Sequence, residues 1–263
     1  MKGPSNRLST SDPNVKAMAP LARAQSAAPP RAAGFAQGSR LREPIARPPQ
    51  VRERSKSLPA PRSPALRLAA RRIAVAIGIS TGGPMTLFDL LPQVPAGLPA
   101  SIFLVQHIPA GFTAPLARRL AAQCKIKVLE AQENMVVEPG VCYLAAAGRH
   151  LCLVREAGGE IVIRTPAGPH TAYVPSVDVM MASVLDVYGN YTIGVLMTGM
   201  GHDGVDQMVA IRRAGGHTIV ESEETAVING MPRVARERGG ACLSMPSHRI
   251  ADEIVSAVEL MRE

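Results

Sequence analysis

Three polar residues of this 263-residue chain, Ser80, His107 and Asp203, each follow a run of apolar residues. A serine can act as a nucleophile, a histidine as its general base, and an aspartate as the group that orients the histidine. The apolar runs predict buried strands, and the three residues follow their carboxyl ends. Because the carboxyl ends of parallel strands share one edge, where ligands bind, the sequence predicts a nucleophilic triad there.

The first of these residues lies in a glycine-rich pattern. Residues 78–82 read Gly-Ile-Ser-Thr-Gly, a G-x-S-x-G sequence between a predicted strand and a predicted helix. Such a pattern forms a sharp turn that lifts the serine oxygen above the sheet. The alternative is a phosphate cradle at the helix N-terminus, in a nucleotide-dependent α/β enzyme. The residues match neither G-x-G-x-x-G nor G-x-x-x-x-G-K-[ST], which makes nucleotide binding the weaker hypothesis.

The general base and its partner also have alternatives. A histidine at a strand end is often structural, but His107 shares the predicted edge with the serine and is the best base in the chain. His202 is its rival because it adjoins Asp203. Asp203 follows a glycine-rich stretch that permits a tight turn, and it could instead cap a helix that begins at Val205. Backbone amides of this stretch, that of Met200 especially, could bind an oxyanion.

The elements needed to position these residues alternate along the chain. The sequence predicts an α/β fold, a doubly wound and mostly parallel sheet with helices on both faces. Three further strands are predicted at 141–145, 151–155 and 160–164. We expect them to form a small antiparallel excursion from the main sheet, because the glycine pair 158–159 between the second and third strands is typical of a hairpin. The other strands are predicted at 73–79, 102–106, 127–130, 192–197 and 217–221, and the helices at 84–94, 113–124, 176–188, 205–214, 232–238 and 247–261.

The composition changes abruptly near residue 72. Residues 1–72 hold 11 of the 23 prolines, with 15 Lys and Arg against 3 Asp and Glu, whereas the remainder holds 14 basic and 18 acidic residues. Such a segment buries too little apolar surface to offset the entropy of ordering. We therefore predict a disordered, basic Pro/Ala/Arg-rich tail over 1–72 and a catalytic domain over 73–263. A basic arm for an acidic partner is the alternative for the tail.

The bulk composition argues against several classes of protein. Aromatic residues make up 3% of the chain and tryptophan is absent, so no nucleic-acid partner is expected. No apolar run approaches the roughly 18 residues of a membrane span, and no secretory leader is recognised, so membrane insertion is not expected. The four cysteines are well separated and fit reduced thiols in a cytoplasmic protein. We expect neither a metal nor another cofactor.

Taken together, seven stretches that keep their order resemble the catalytic domain of the chemotaxis protein-glutamate methylesterase family. The resemblance implies a doubly wound domain in which Ser80 is the nucleophile, His107 the base and Asp203 the orienting acid. It also implies that Thr81 lines the site and that the Met200 amide helps to bind the oxyanion. The matching stretches are residues 78–84, 106–113, 139–145, 148–151, 175–178, 196–204 and 228–232.

The implied reaction removes methyl esters from glutamyl side chains of methyl-accepting chemotaxis receptors, releasing methanol, and can extend to deamidation of receptor glutamines. The implied partners are the cytoplasmic helices of those receptors, and the chain is expected to act as a monomer. Family members usually carry an N-terminal receiver domain, and residues 1–72 are too short and too proline-rich for one. Gln207 and Tyr173 also depart from the family pattern. The alternative is a catalytically inactive receptor-binding or regulatory module of the same fold.

Overall fold

The computed structural model describes residues 72–168 and 171–263. The predicted tail, apart from Arg72, lies outside the described residues. Within them lie nine strands and six α-helices, which include all eight strands and all six helices that the sequence predicts. No helix in this part of the chain is both long and apolar enough to cross a bilayer.

Seven parallel strands form the main sheet, in the order β3-β4-β2-β1-β7-β8-β9. Strands β1 and β2 at its centre are buried at every residue, which is typical of a parallel strand covered on both faces. The bounds are β1 Ile73–Ile79, β2 Ala100–Gln106, β3 Lys127–Glu130, β4 Val141–Leu144, β7 Thr192–Leu196, β8 His217–Glu221 and β9 Leu243–Met245.

Two hydrophobic clusters, one on each face of the sheet, hold the helices in place. Helices α1, α2 and α6 contribute Leu87, Leu120 and Ile254 to one cluster, whereas α3 and α5 contribute Met180 and Met231 to the other. This doubly wound arrangement confirms the predicted fold class. The helix bounds are α1 Gly83–Leu90, α2 Thr113–Ala121, α3 Val177–Tyr188, α4 Val205–Arg213, α5 Met231–Glu237 and α6 Ser247–Arg262.

The predicted antiparallel excursion is only partly correct. Strands β5 Cys152–Arg155 and β6 Ile161–Arg164 do pair antiparallel, as the two glycines between them indicate. The segment 141–145, however, was wrongly grouped with them, because β4 pairs parallel with both β2 and β3 in the main sheet. Its four residues are all buried, which suits an internal strand better than a hairpin.

Two other differences from the predictions have local causes. The helix predicted over 84–94 ends as an α-helix at Leu90 and continues as a 3₁₀ turn over Leu91–Gln93. Pro92 lacks the N–H that would continue the α-helical ladder. Strand β9 was not predicted, because its three residues are largely exposed at the edge of the sheet and form no apolar run.

Candidate active site

Ser80 lies in the turn between β1 and α1, at the centre of the carboxyl edge of the sheet. Its amide donates to the Thr198 carbonyl across a distance of 2.9 Å, and its own carbonyl accepts from the Gly83 amide at 2.9 Å. Gly82 has a φ of 85°, which lets the chain reverse from strand to helix within three residues. The predicted strand, sharp turn and helix around the serine are therefore all present.

His107 follows β2 at the position next to Ser80. The two strands pair Ile79 with Gln106, and the His107 amide donates to the Ile79 carbonyl at 3.1 Å. The Gln106 side-chain amide donates to the carbonyls of both Ser80 and His107, each at 2.9 Å. This carboxamide ties the two strand ends together, so that the serine and the histidine leave the sheet side by side.

The imidazole of His107 is bonded to Asp203 through one of its two nitrogens. Nε2 lies 2.8 Å from the Asp203 Oδ2, and both side chains are more than 90% buried. The other nitrogen, Nδ1, is buried and has no hydrogen-bond partner among the described residues. With Nε2–H donating to the carboxylate, Nδ1 keeps the lone pair that a general base requires, although within the described residues no hydrogen bond joins it to the Ser80 hydroxyl.

Asp203 is held by the first turn of a helix that is distant in sequence. Its carboxylate accepts the amides of Val177 at 2.7 Å and Asp178 at 3.0 Å, and the Ser176 hydroxyl at 2.7 Å. Burial alone would raise the pKa of Asp203, but the hydrogen bonds from His107 and from these three groups lower it. The carboxylate therefore stays ionised at the positive end of the α3 dipole.

The alternative role considered for Asp203, as the cap of the helix at Val205, is wrong. Gly204 is the N-cap residue of α4 and provides no side-chain hydrogen bond. The carboxylate of Asp178 instead accepts the Gln207 amide in the first turn of α4, at 3.2 Å. Asp203, just before α4, thus caps α3, and Asp178, in α3, caps α4. These two reciprocal contacts fix α3 against α4.

The glycine-rich stretch after β7 crosses beside Ser80. A Cβ built on Gly199 would overlap the Met231 Sδ and lie 2.7 Å from the Ser80 Cβ, so only glycine fits there. The Met200 side chain is 72% exposed. Thr81 is exposed, and its carbonyl accepts the Thr198 hydroxyl at 2.8 Å. Both residues predicted to line the site therefore lie at the sheet edge that holds Ser80.

Tyr173 contacts the candidate base, a role that the sequence did not predict. Its ring is stacked on the His107 imidazole with a centroid separation of 4.3 Å and an interplanar angle of 10°. A second unpredicted contact is that of Ser176, which caps α3 and also donates to Asp203. Both residues precede α3 in a segment rich in turns, and no periodic pattern could have placed them.

His202 and the described metal-ligating residue types do not extend the site. His202, the rival base, has an exposed side chain, and it is His107 that is bonded to Asp203. Within residues 72–168 and 171–263, no group of three or more His, Cys, Asp or Glu side chains is arranged to hold a metal ion. The described carboxyl edge thus offers a serine, an imidazole and a carboxylate as its chemical groups.

Comparisons with known proteins match the described domain to one family and one fold. A family model described as CheB methylesterase matches residues 75–254. The crystal structure of the Thermotoga maritima CheB methylesterase catalytic domain superposes with a TM-score of 0.68 at 35% sequence identity, covering 72% of this chain and 98% of that one.

Two curated relatives carry the name protein-glutamate methylesterase/protein-glutamine glutaminase. The protein numbered 3 of that name from Syntrophomonas wolfei is 52% identical over 185 residues, which are 70% of this chain and 52% of the relative. The protein from Pyrococcus horikoshii is 42% identical over 191 residues, which are 73% of this chain and 52% of the relative. The chain thus spans about half the length of the curated relatives it matches.

Proposed function

The chain belongs to the CheB methylesterase family, and we propose that it is a serine hydrolase that removes methyl esters from glutamyl side chains. The observation that carries this proposal is the buried hydrogen bond of 2.8 Å between His107 and Asp203, which leaves the second imidazole nitrogen without a partner, on the strand end adjacent to that of Ser80. A binding module needs no such arrangement, so the pair supports an enzyme over the inactive alternative.

The first half of the reaction is acylation. Nδ1 of His107 takes the Ser80 hydroxyl proton as the serine oxygen attacks the ester carbonyl, and a tetrahedral oxyanion forms. The imidazolium is stabilised by the Asp203 carboxylate through Nε2–H. When the carbon–oxygen bond to the methoxy group breaks, His107 returns the proton and methanol leaves. An acyl-enzyme at Ser80 remains.

The second half is hydrolysis of that acyl-enzyme. Water, deprotonated by the same imidazole, attacks the acyl carbonyl, and the bond to the serine oxygen breaks to release the glutamate carboxylate. The amide of Met200 is proposed to donate to the oxyanion in both halves, and within the described residues it donates to no backbone carbonyl. Thr81 lines the site from the other side of the serine turn.

The substrates and partners follow from family membership. We propose that the esters belong to the cytoplasmic helices of methyl-accepting chemotaxis receptors, so that the chain acts in the cytoplasm. The same attack on a glutamine carboxamide would release ammonia, and both reactions appear in the names of the curated relatives. Met85 at the start of α1, Phe112 before α2 and Met200 after β7 are exposed apolar side chains in segments that follow strands β1, β2 and β7, and we propose that a receptor helix lies on them.

The direct test is an assay of methanol release from receptor fragments methylated on glutamate. The unchanged chain should release methanol, and the Ser80→Ala variant should not. The matched control is Ser256→Ala, because that serine is exposed on α6 and only bonds the Asp252 carbonyl of its own helix. Methanol release at the unchanged rate by Ser80→Ala would refute the assignment of the nucleophile.

A further inference from the structure

A buried carboxyl group with no place in the reaction above ends strand β8. The side chain of Glu221 is fully buried, and in the described part of the chain it takes part in no ion pair. A carboxyl group in such surroundings is costly unless its oxygens are hydrogen-bonded. Burial raises the pKa of Glu221, and two hydrogen bonds act in the opposite direction.

Both oxygens of this carboxyl group accept a hydrogen bond. Oε2 accepts the Thr198 amide at 2.8 Å, and Oε1 accepts the Thr225 hydroxyl at 2.9 Å. An ionised carboxylate accepts at both oxygens, whereas a carboxamide accepts at only one. The site is therefore built for an acceptor that reaches two donors on two different segments, the end of β7 and the loop after β8.

Thr198, the first of these donors, joins the segments that form the candidate active site. Its carbonyl accepts the Ser80 amide at 2.9 Å, and its hydroxyl donates to the Thr81 carbonyl at 2.8 Å. The same hydroxyl accepts the Ile228 amide at 3.0 Å. With Glu221 on its amide, every backbone polar group of Thr198 is bonded, and the stretch 199–201 starts from this fixed point.

We propose that Glu221 is a positioning residue, which holds Thr198 and thereby sets the Ser80 hydroxyl and the Met200 amide at their working separation. This role rests on the proposed function. Glu221 does not touch the reacting atoms. It acts through a single residue that bonds the nucleophile turn directly and leads into the oxyanion stretch. A shift of that residue changes the distance between the nucleophile and the oxyanion donor, on which the rate of a preorganised site depends steeply.

Two conservative substitutions separate the effect of the length of the Glu221 side chain from the effect of its charge. Glu221→Gln keeps the length of the side chain and one acceptor for the Thr198 amide, but removes the charge. Glu221→Asp keeps the charge but withdraws the carboxylate from Thr198 by one methylene. Methanol release should be close to that of the unchanged chain for the Gln variant. For the Asp variant kcat should fall on the order of tenfold or more, with KM unchanged.

A third variant controls for loss of stability. Thr225→Val removes the other hydrogen bond of Glu221 and leaves the Thr198 amide bonded, so it should lower the melting temperature but keep kcat. The role is refuted if Glu221→Asp and Glu221→Gln have equal kcat, or if kcat falls for Glu221→Gln and not for Glu221→Asp. It is also refuted if Thr225→Val lowers kcat as much as Glu221→Asp does.

A second readout keeps this test independent of the natural substrate. The rate at which a serine-directed phosphonate labels Ser80 should rank the same variants in the same order. If the unchanged chain reacts with the phosphonate but releases no methanol, the proposed substrate is wrong, and the labelling rates still decide the role of Glu221. If it does neither, both proposals are wrong.

Discussion

At the scale of single residues, the site depends on one carboxylate with four donors. Asp203 accepts the His107 imidazole, two backbone amides and the Ser176 hydroxyl. Hydrogen bonds to a charged group stabilise a protein by about 1.5–3 kcal/mol each, and a neutral carboxamide cannot accept all four. The aspartate therefore matters for the stability of the domain as well as for the proposed chemistry.

This carboxylate should make stability depend on pH. The pKa of Asp203 in the folded chain is lower than its ordinary value of 3.8, so its stabilisation is fully present above that value and is lost as the pH falls through the folded pKa. Asp203→Asn should reduce the free energy of unfolding at pH 7 by about 3 kcal/mol. In urea titrations, the difference between the two proteins should shrink as the pH falls below about 4.

The control for this experiment is Asp206→Asn, three residues further along the chain. Asp206 forms an ion pair with Arg238 in which both side chains are more than half exposed, and such pairs contribute at most about 1 kcal/mol. A pH-independent difference between Asp203→Asn and the unchanged chain would contradict the ionised, hydrogen-bonded state described for Asp203.

The stack of Tyr173 on His107 leads to a second prediction at this scale. Aromatic pairs contribute about 0.5–1.5 kcal/mol beyond the area they bury, which corresponds to a factor of about 2–10 in rate if the stack holds the imidazole in its working orientation. Tyr173→Leu should lower kcat for methanol release by that factor. Tyr173→Phe keeps the ring and should not. Equal rates for the two variants would show that the stack has no part in catalysis.

The sequence predicted the three residues proposed to react but not those that hold them. Ser80 and His107 directly follow apolar strands, and Asp203 lies in a glycine-rich stretch, so periodicity alone places them near one edge. The contacts of Tyr173 and Ser176 depend on the path of an irregular segment, which no pattern encodes. Glu221 is different, because it ends an apolar strand just as His107 follows one, and the same rule could have found it.

At the scale of elements, the geometry of the edge depends on the close approach of two loops. The stretch after β7 passes the Ser80 turn so closely that Gly199 has no space for a Cβ. Gly199→Ala should reduce the free energy of unfolding by about 1–3 kcal/mol, because backbone or Met231 must move. It should also slow phosphonate labelling of Ser80, since the nucleophile turn is the other neighbour.

The matched control is Gly158→Ala in the β5–β6 hairpin. A Cβ at Gly158 meets no atom within 4 Å, and its φ is not in the left-handed region. This variant should leave both the free energy of unfolding and the labelling rate unchanged. If Gly199→Ala behaves in the same way, the two loops do not pack closely around Gly199.

The bounds of the elements were predicted better than the pairing of the strands. Strands β1 and β8 have the predicted bounds, and α3 begins within one residue of the predicted start at Ser176. The position of β4 in the sheet was predicted wrongly because a short apolar strand has the same sequence pattern in a hairpin and in a parallel sheet. Only pairing partners distant in sequence decide between the two.

At the scale of the whole molecule, we propose that the catalytic domain begins near residue 73, where β1 starts, and that residues 1–72 form a separate tail. The crystal structure of the catalytic domain that this chain resembles is matched over 98% of its length by 72% of this chain. A chain that begins at Arg72 should therefore keep the melting temperature and the methanol release of the full chain. Limited proteolysis should first cut before residue 73. Loss of activity on this truncation would contradict the boundary.

The central claim is that Ser80, His107 and Asp203 act as one catalytic unit, and a double-mutant measurement tests it most directly. Methanol release would be compared among Ser80→Ala, His107→Ala and the double variant. Members of one unit have non-additive effects, so the double variant should be no slower than either single variant. If the two single losses instead multiply in the double variant, or if His107→Ala retains the rate of the unchanged chain, the imidazole does not activate the serine.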